Sequence, residues 1–318
     1  MHNDTCVIGT RGSALALWQA HAVKRAIEAS RPDVSCEIRV IKTTGDRNLA
    51  TPLAEIGDKG LFTKDLEAAL VAGEVDICVH SMKDVPTELA NGCGITAMLE
   101  RADARDVIVC GPRIQAECLA DVPAGSRLGT GSLRRVAQIR AGFPGIVPTP
   151  IRGNVDTRIA KACGEEYEGA VLAAAGVTRM GLADRIAAYI PVSEIVPAVG
   201  QGAVGIEARL GDERVCELCA RIDDAATRVC VEAERIVLCA LEGGCQVPMG
   251  AYMRFDSGDI AADAVVASVD GSRVARVALR VPASDATPAD VARRVLAELS
   301  AQGADVILEE IRAQEAGR

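Results

Sequence analysis

Residues 76–92 read Asp-Ile-Cys-Val-His-Ser-Met-Lys-Asp-Val-Pro-Thr-Glu-Leu-Ala-Asn-Gly. The run from Asp76 to Val79 is short and apolar, as a buried strand is. It stops at His80, where a polar cluster begins, and Pro86 breaks the chain beyond. Ligands of open α/β sheets collect at the carboxyl ends of strands. Lys83 and Asp84 stand side by side at such an end. A neighbouring ammonium favours the ionised form of Asp84, which could then steady a developing cation. The same pair reads equally well as a surface salt bridge before a turn.

Upstream, Cys6 to Ile8 is expected to be a strand and Gly9 to Ser13 a turn. A helix from about Ala14 to Ala29 follows, with Leu15, Trp18, Ala22, Val23, Ala26 and Ile27 on one face. Ser13 suits its N-cap, which places Arg11 and Ser13 at a helix start beyond a strand. That is an anion site or an ordinary capped turn. Ser35 to Lys42 alternates as a strand, and Leu61 to Val71 reads as a helix. Between them Thr43 to Gly60 is polar, irregular and long for a connection, as functional loops often are. With a strand near Ile95 to Met98, the order βαβαβ predicts a mostly parallel sheet with helices on both faces.

Downstream, the charge run Glu100 to Asp106 reads as a crossing between domains, or as a solvated loop. Gly129 to Arg135, GTGSLRR, joins a strand to a helix beginning near Leu133. Its hydroxyls, Thr130 and Ser132, and its arginines, Arg134 and Arg135, suit a carboxylate or phosphate. It is neither a dinucleotide fingerprint nor a Walker loop. Pro148 to Ile151 leads to Arg152 and Arg158, and Gly169 to Ala173 leads to Arg179. Three successive strand ends bearing arginine point to a polyanionic small molecule. Val196 to Gly205 is glycine-rich, holds Gln201, and reads as the chain crossing back. Two lobes joined by two crossings suit a hinged protein that closes on a ligand.

Asp212 to Leu241 is expected to be largely helical and ends at Gly243-Gly244-Cys245. A cysteine on such a turn is a reactive thiolate or a strand-start residue. Three short strands follow (251–254, 264–269 and 274–281), then a helix capped by Thr287 with Pro288 behind it, and a frayed tail after Ile311.

The chain has 318 residues, a net charge of -9 and 2% aromatic residues. That balance argues against nucleic-acid binding, which needs a basic footprint and stacking platforms. No apolar run approaches the roughly 20 residues of a membrane span, and the start, Met1 to Cys6, lacks the pattern of a signal peptide. A cytoplasmic setting is the expectation, with the twelve cysteines reduced. Cys78, Cys110, Cys230 and Cys239 lie in apolar runs and read as small core residues. Cys216 and Cys219 form a CxxC without a second ligand pair, so no metal is expected there.

Together, GTRGSALALWQA from Gly9, GDKGLFTKDLE, HSMKDVP, GTGSLRR, IRGNVDTR, VPAVGQGAVGIEAR and LEGGCQVPMGAY to Tyr252 resemble the porphobilinogen deaminase (hydroxymethylbilane synthase) family across nearly the whole chain. The resemblance implies an α/β fold of two hinged, type II periplasmic-binding-protein-like lobes. A smaller α+β C-terminal domain with a three-stranded antiparallel sheet completes it. Domain 1 would be 1–102 with 200–220, domain 2 103–199, and domain 3 221–318. It implies a dipyrromethane cofactor on Cys245 and head-to-tail condensation of four porphobilinogen molecules with loss of ammonia. Hydrolysis then releases the linear tetrapyrrole. Asp84 and Lys83 match catalytic positions. Lys83, Asp84, Thr130, Ser132, Arg134 and Arg135 match cofactor contacts. Arg11, Ser13, Phe62, Arg152, Arg158, Arg179 and Gln201 match substrate contacts, and Thr43 to Gly60 matches a lid. A monomer is implied. Without the resemblance, a two-lobed organic-anion-binding protein would fit the arginines, though it has no need of Lys83-Asp84 or of a Gly-Gly-Cys turn.

Overall fold

A computed structural model describes residues 4–43, 63–241, 247–284 and 286–316. In chain order these form β1 (Asp4–Thr10), α1 (Ala14–Ser30), β2 (Val34–Val40), α2 (Lys64–Val71), β3 (Ile77–Ser81), β4 (Cys93–Met98) and β5 (Asp106–Cys110). Next come β6 (Arg127–Gly129), α3 (Leu133–Gly142), β7 (Val147–Thr149), α4 (Val155–Ala162), β8 (Gly169–Ala173), α5 (Ala174–Arg179), β9 (Ala188–Tyr189) and β10 (Val204–Arg209). The remainder is α6 (Glu213–Ala220), α7 (Ala225–Ala240), β11 (Met249–Asp256), β12 (Asp259–Ala267), β13 (Val274–Pro282), α8 (Pro288–Ala301) and α9 (Ala304–Ala316). The fold is α/β, with two five-stranded sheets and a three-stranded antiparallel one. The chain divides into two compact units, Met1–Ala102 with Ala203–Arg228, and Asp103–Gly202 with Val229–Arg318.

The first unit holds the sheet β2-β1-β3-β10-β4. β1 runs parallel to β2 and β3, whereas β10 is antiparallel to both β3 and β4. The sheet is thus mostly parallel, as its βαβ units require, with one reversed strand set between the third and the fourth. On one face Cys6, Ile8, Val79 and Ile206 pack on Ala20, Val23 and Ile27 of α1 and on Val215, Leu218 and Cys219 of α6. On the other, Leu66, Ala69 and Leu70 of α2 cover Val75 and Cys78. The inner stripe of α1 is Ala16, Gln19, Ala20, Val23 and Ile27. It is rotated from the expected one, and Trp18 is exposed. Small alanines let the helix lie close to the strands, which an indole at the interface would prevent.

The second unit repeats the plan with β7-β6-β8-β5-β9. β6 is parallel to β7 and β8, and β5 is the reversed strand, antiparallel to β8 and β9. The unit also contains the sheet β11-β12-β13, covered by α8 and α9 through Val291, Val295, Leu299, Ile307, Leu308 and Ile311. The expected frayed tail is instead the last turns of α9, anchored by Ile311, which is 5% exposed. Cys239, read as a core residue, lies on the outer face of α7 and is exposed, while Cys78 and Cys230 are buried as expected.

Candidate active site

In the first unit the carboxyl ends of β1 and β3 lie at one edge, because the strands are parallel neighbours with Gly9 beside Cys78. That edge receives Arg11 and Ser13 after β1, and Lys83 and Asp84 after β3. Ser13 caps α1, its Oγ accepting from the Ala16 amide at 3.3 Å. Lys83 and Asp84 occupy a single 3-10 turn, Met82–Asp84, and both are exposed. The turn is pinned from behind. The Met82 amide donates to Ala203 O at 3.1 Å. Gln19 Nε2, buried in the stripe of α1, donates to Ser81 Oγ at 2.7 Å. The Met82 side chain fills the space where a Cβ on Gly205 would sit. An exposed acid and an exposed ammonium are therefore held on a rigid, buried base.

In the second unit the parallel strands β6, β7 and β8 deliver Thr130 and Ser132, Arg152 and Arg158, and Arg179 to one edge. Thr130 is buried, and its Oγ1 accepts from the Ser132 amide at 3.3 Å. Arg158 Nε donates to Gly153 O at 2.7 Å. Arg179 donates from Nη2 to Gly202 O at 2.8 Å, and burial pushes its pKa down to about 10, leaving it charged at neutral pH.

Arg134 and Arg135 are each 5% exposed, and the anion they face is a side chain of the protein, Asp106. Because β5 is reversed, its first residue lies beside Ala173, at the same edge as the arginines. Arg134 Nη1 donates to Asp106 Oδ2 at 2.7 Å, and Arg135 reaches Oδ1 with Nε at 3.1 Å and Nη2 at 2.7 Å. Gln201 Nε2 joins at 2.8 Å and also donates to Ala104 O at 2.7 Å. Burial alone would raise the pKa of Asp106, but the two guanidinium charges outweigh it and hold the carboxyl below the usual range. Two guanidiniums against one carboxylate leave one positive charge in excess. Arg134 Nε, buried, has no hydrogen-bond partner among the described residues.

β11 lies against the same arginine. A Cβ on Gly250 would stand 2.6 Å from Pro197 O, 2.8 Å from Val196 O and 3.1 Å from Arg134 Cδ. Gly250 follows Cys245 by five positions. Cys245 and Phe62 themselves, like almost all of the expected lid, fall outside the described residues.

Sequence reading missed Asp106, because an acid closing the run ERADARD looks solvated. It missed Gln19, whose polarity argues against a place in a packed stripe. Among the described residues no group of three or more His, Cys, Asp or Glu side chains could hold a metal ion, and no helix is long and apolar enough to cross a membrane.

The family model "Porphobilinogen deaminase, dipyromethane cofactor binding domain" matches residues 6–217, and "Porphobilinogen deaminase, C-terminal domain" matches residues 228–301. Curated relatives include the porphobilinogen deaminase of Geobacter metallireducens, 45% identical over 98% of this chain and 96% of that one. That of Syntrophobacter fumaroxidans is 47% identical over 96% of this chain and 97% of that one. Among solved structures, substrate binding domain 2 of Lactococcus lactis GlnP, in open conformation, aligns at 10% identity. The alignment covers 70% of this chain and 89% of that one, with a TM-score of 0.44.

Proposed function

The chain belongs to the porphobilinogen deaminase family, and from that premise we propose which of its residues do the work. The protein is a hydroxymethylbilane synthase, a transferase of tetrapyrrole biosynthesis. Four porphobilinogen molecules are joined head to tail, each losing ammonia, and water releases the linear product. Its cofactor is dipyrromethane.

The residues fit such a group. Bound dipyrromethane supplies the pyrrole carbon to which the first porphobilinogen is joined. Its anchor is Cys245, the thiol five residues ahead of the point where β11 touches Arg134. Thr130, Ser132, Arg134 and Arg135 hold its carboxylates, with Lys83 and Asp84 completing the set. The observation that carries this is the Arg134-Arg135-Asp106 cluster: one charge in excess, buried, with one guanidinium N–H that has no partner among the described residues. A buried donor without an acceptor is costly, and a ligand carboxylate would relieve it.

Asp84 is the catalytic carboxylate. Exposed at the turn and paired in sequence with Lys83, it can accept from pyrrole N–H groups and stabilise positive charge that develops on the substrate. Lys83 offers a cation to substrate carboxylates. Arg11, Arg152, Arg158 and Arg179 bind acetate and propionate groups, assisted by Ser13, Gln201 and Phe62, with 43–60 as a lid. Three domains, 1–102 with 200–220, 103–199 and 221–318, complete the reading. The protein acts as a cytoplasmic monomer, and its net charge of -9 disfavours nucleic acid.

The test is the intact mass of the purified protein beside Cys245→Ser, each after incubation with porphobilinogen. An added mass of two linked pyrroles in the first and none in the second is the expected result. Modification of both proteins would remove Cys245 as the anchor.

A further inference from the structure

His80 is the fourth residue of β3, directly ahead of Ser81 and the turn bearing Lys83 and Asp84. Its side chain is 4% exposed and meets Glu207 of β10, which is 0% exposed. Nε2 lies 2.9 Å from Glu207 Oε2, so a proton sits between them. From α2 comes a second buried acid, Glu67, 9% exposed. Neither Glu67 Oε1 nor Glu207 Oε1 has a hydrogen-bond partner among the described residues. Burial first, then the charge of Glu207, raises the pKa of Glu67, opposed by Thr63 and His80. Among the described residues, the other titratable or charged groups acting on the cluster include Cys78 of β3, Cys93 of β4 and Arg209 of β10. Burial and the charge of Glu207 push both thiols up.

The reaction as assigned above uses none of these groups. Yet two buried carboxylates with unsatisfied oxygens are costly to keep. Their place in the fold supplies a reason. The residue opposite His80 on β10 is Gly205, the position against which Met82 packs. Any shift of His80 or β10 therefore passes directly to the turn.

We propose that His80 and Glu207, with the buried Glu67 of α2 as a neighbouring acid, form a proton-sharing brace that positions the Lys83-Asp84 turn. This deepens the reading of Asp84 as the catalytic carboxylate and rests on it. Each added proton changes the charge count of a buried site. The three elements then resettle, and the turn moves with them. The three residues are positioning residues; none touches the substrate.

The experiment uses full-length, cofactor-bound His80→Gln, Glu207→Gln and Glu67→Gln. Intact mass, melting temperature, and kcat and KM for porphobilinogen across pH are recorded. All three should keep the cofactor mass, and kcat should change more than KM. His80→Gln and Glu207→Gln should lose about 10- to 100-fold in kcat, the scale of a misplaced reacting group. Both, and Glu67→Gln with a smaller loss, should displace the acid limb of the kcat–pH profile. A merely structural role would lower the melting temperature and leave kcat and that limb unchanged, which overturns the proposal. Should His80→Gln not fold, an unmoved acid limb in Glu67→Gln overturns it alone. Full turnover by Asp84→Asn, in contrast, would strike at the catalytic assignment and not at the brace.

Discussion

At Asp84 and Asp106 the same side chain takes opposite parts. Asp84 is exposed on a turn whose support is buried; Asp106 is itself the buried support of two arginines. Asp84→Asn should therefore fold normally and keep its cofactor mass while kcat falls about 100- to 1,000-fold, the loss typical of one preorganised electrostatic contact. Single-turnover kinetics beside intact mass will check this. Asp106→Asn should do the reverse. It leaves two buried guanidiniums without their counter-ion, which costs about 3–5 kcal/mol of stability. Urea unfolding of the variant, with its cofactor content by mass, measures both effects. The two acids were not equally legible. The place of Lys83-Asp84 after β3 was readable because it follows an apolar run that ends abruptly. Asp106 was not, since nothing in a linear charge run shows that the next strand will be reversed and carry its first residue to the arginines.

At the scale of elements, β11 is the sensitive one. Gly250 lets it approach Val196, Pro197 and Arg134 to distances that no side chain allows. Gly250→Ala must push the strand off two backbone oxygens, at a cost of about 1–3 kcal/mol. Arg134 should lose its setting, so the variant should gain cofactor more slowly when fed porphobilinogen, as followed by mass against time. The cap of α8 is a simpler case. Thr287 Oγ1 accepts from the Asp290 amide at 3.2 Å, and Asp290 returns a bond to Thr287. Thr287→Ala should cost about 1 kcal/mol, read as a lowered denaturant midpoint, and leave kcat alone. The start of this helix was legible, because the signals of its cap are local. The stripe of α1 was not. The face a helix buries depends on how close its partner strands come, which favoured Ala16 and Gln19 over Trp18.

At the scale of the whole molecule, acid should reveal Asp106. Its folded-state pKa lies below the ordinary aspartate value of 3.8. The stability it confers is thus fully present above that value and is lost as pH falls towards the folded-state pKa. Melting temperature against pH should decline below about pH 4, and the slope should be shallower in Asp106→Asn. Alternation and βαβ order made both large sheets readable. What they could not show was the fourth place in each order, taken by a reversed strand from beyond the βαβ run in one case and from its very start in the other.

That reversed strand has a consequence during synthesis. A ribosome releases β4 at residue 98, yet β10, which must lie between β3 and β4, arrives only at residues 204–209. Until then the two strands have a vacancy one strand wide between them, and Met82 has no Gly205 to pack against. The second sheet begins with its reversed strand and is complete by residue 189. The middle of a nascent chain can therefore mature before its beginning, and the turn with Lys83 and Asp84 is among the last features to take its final form.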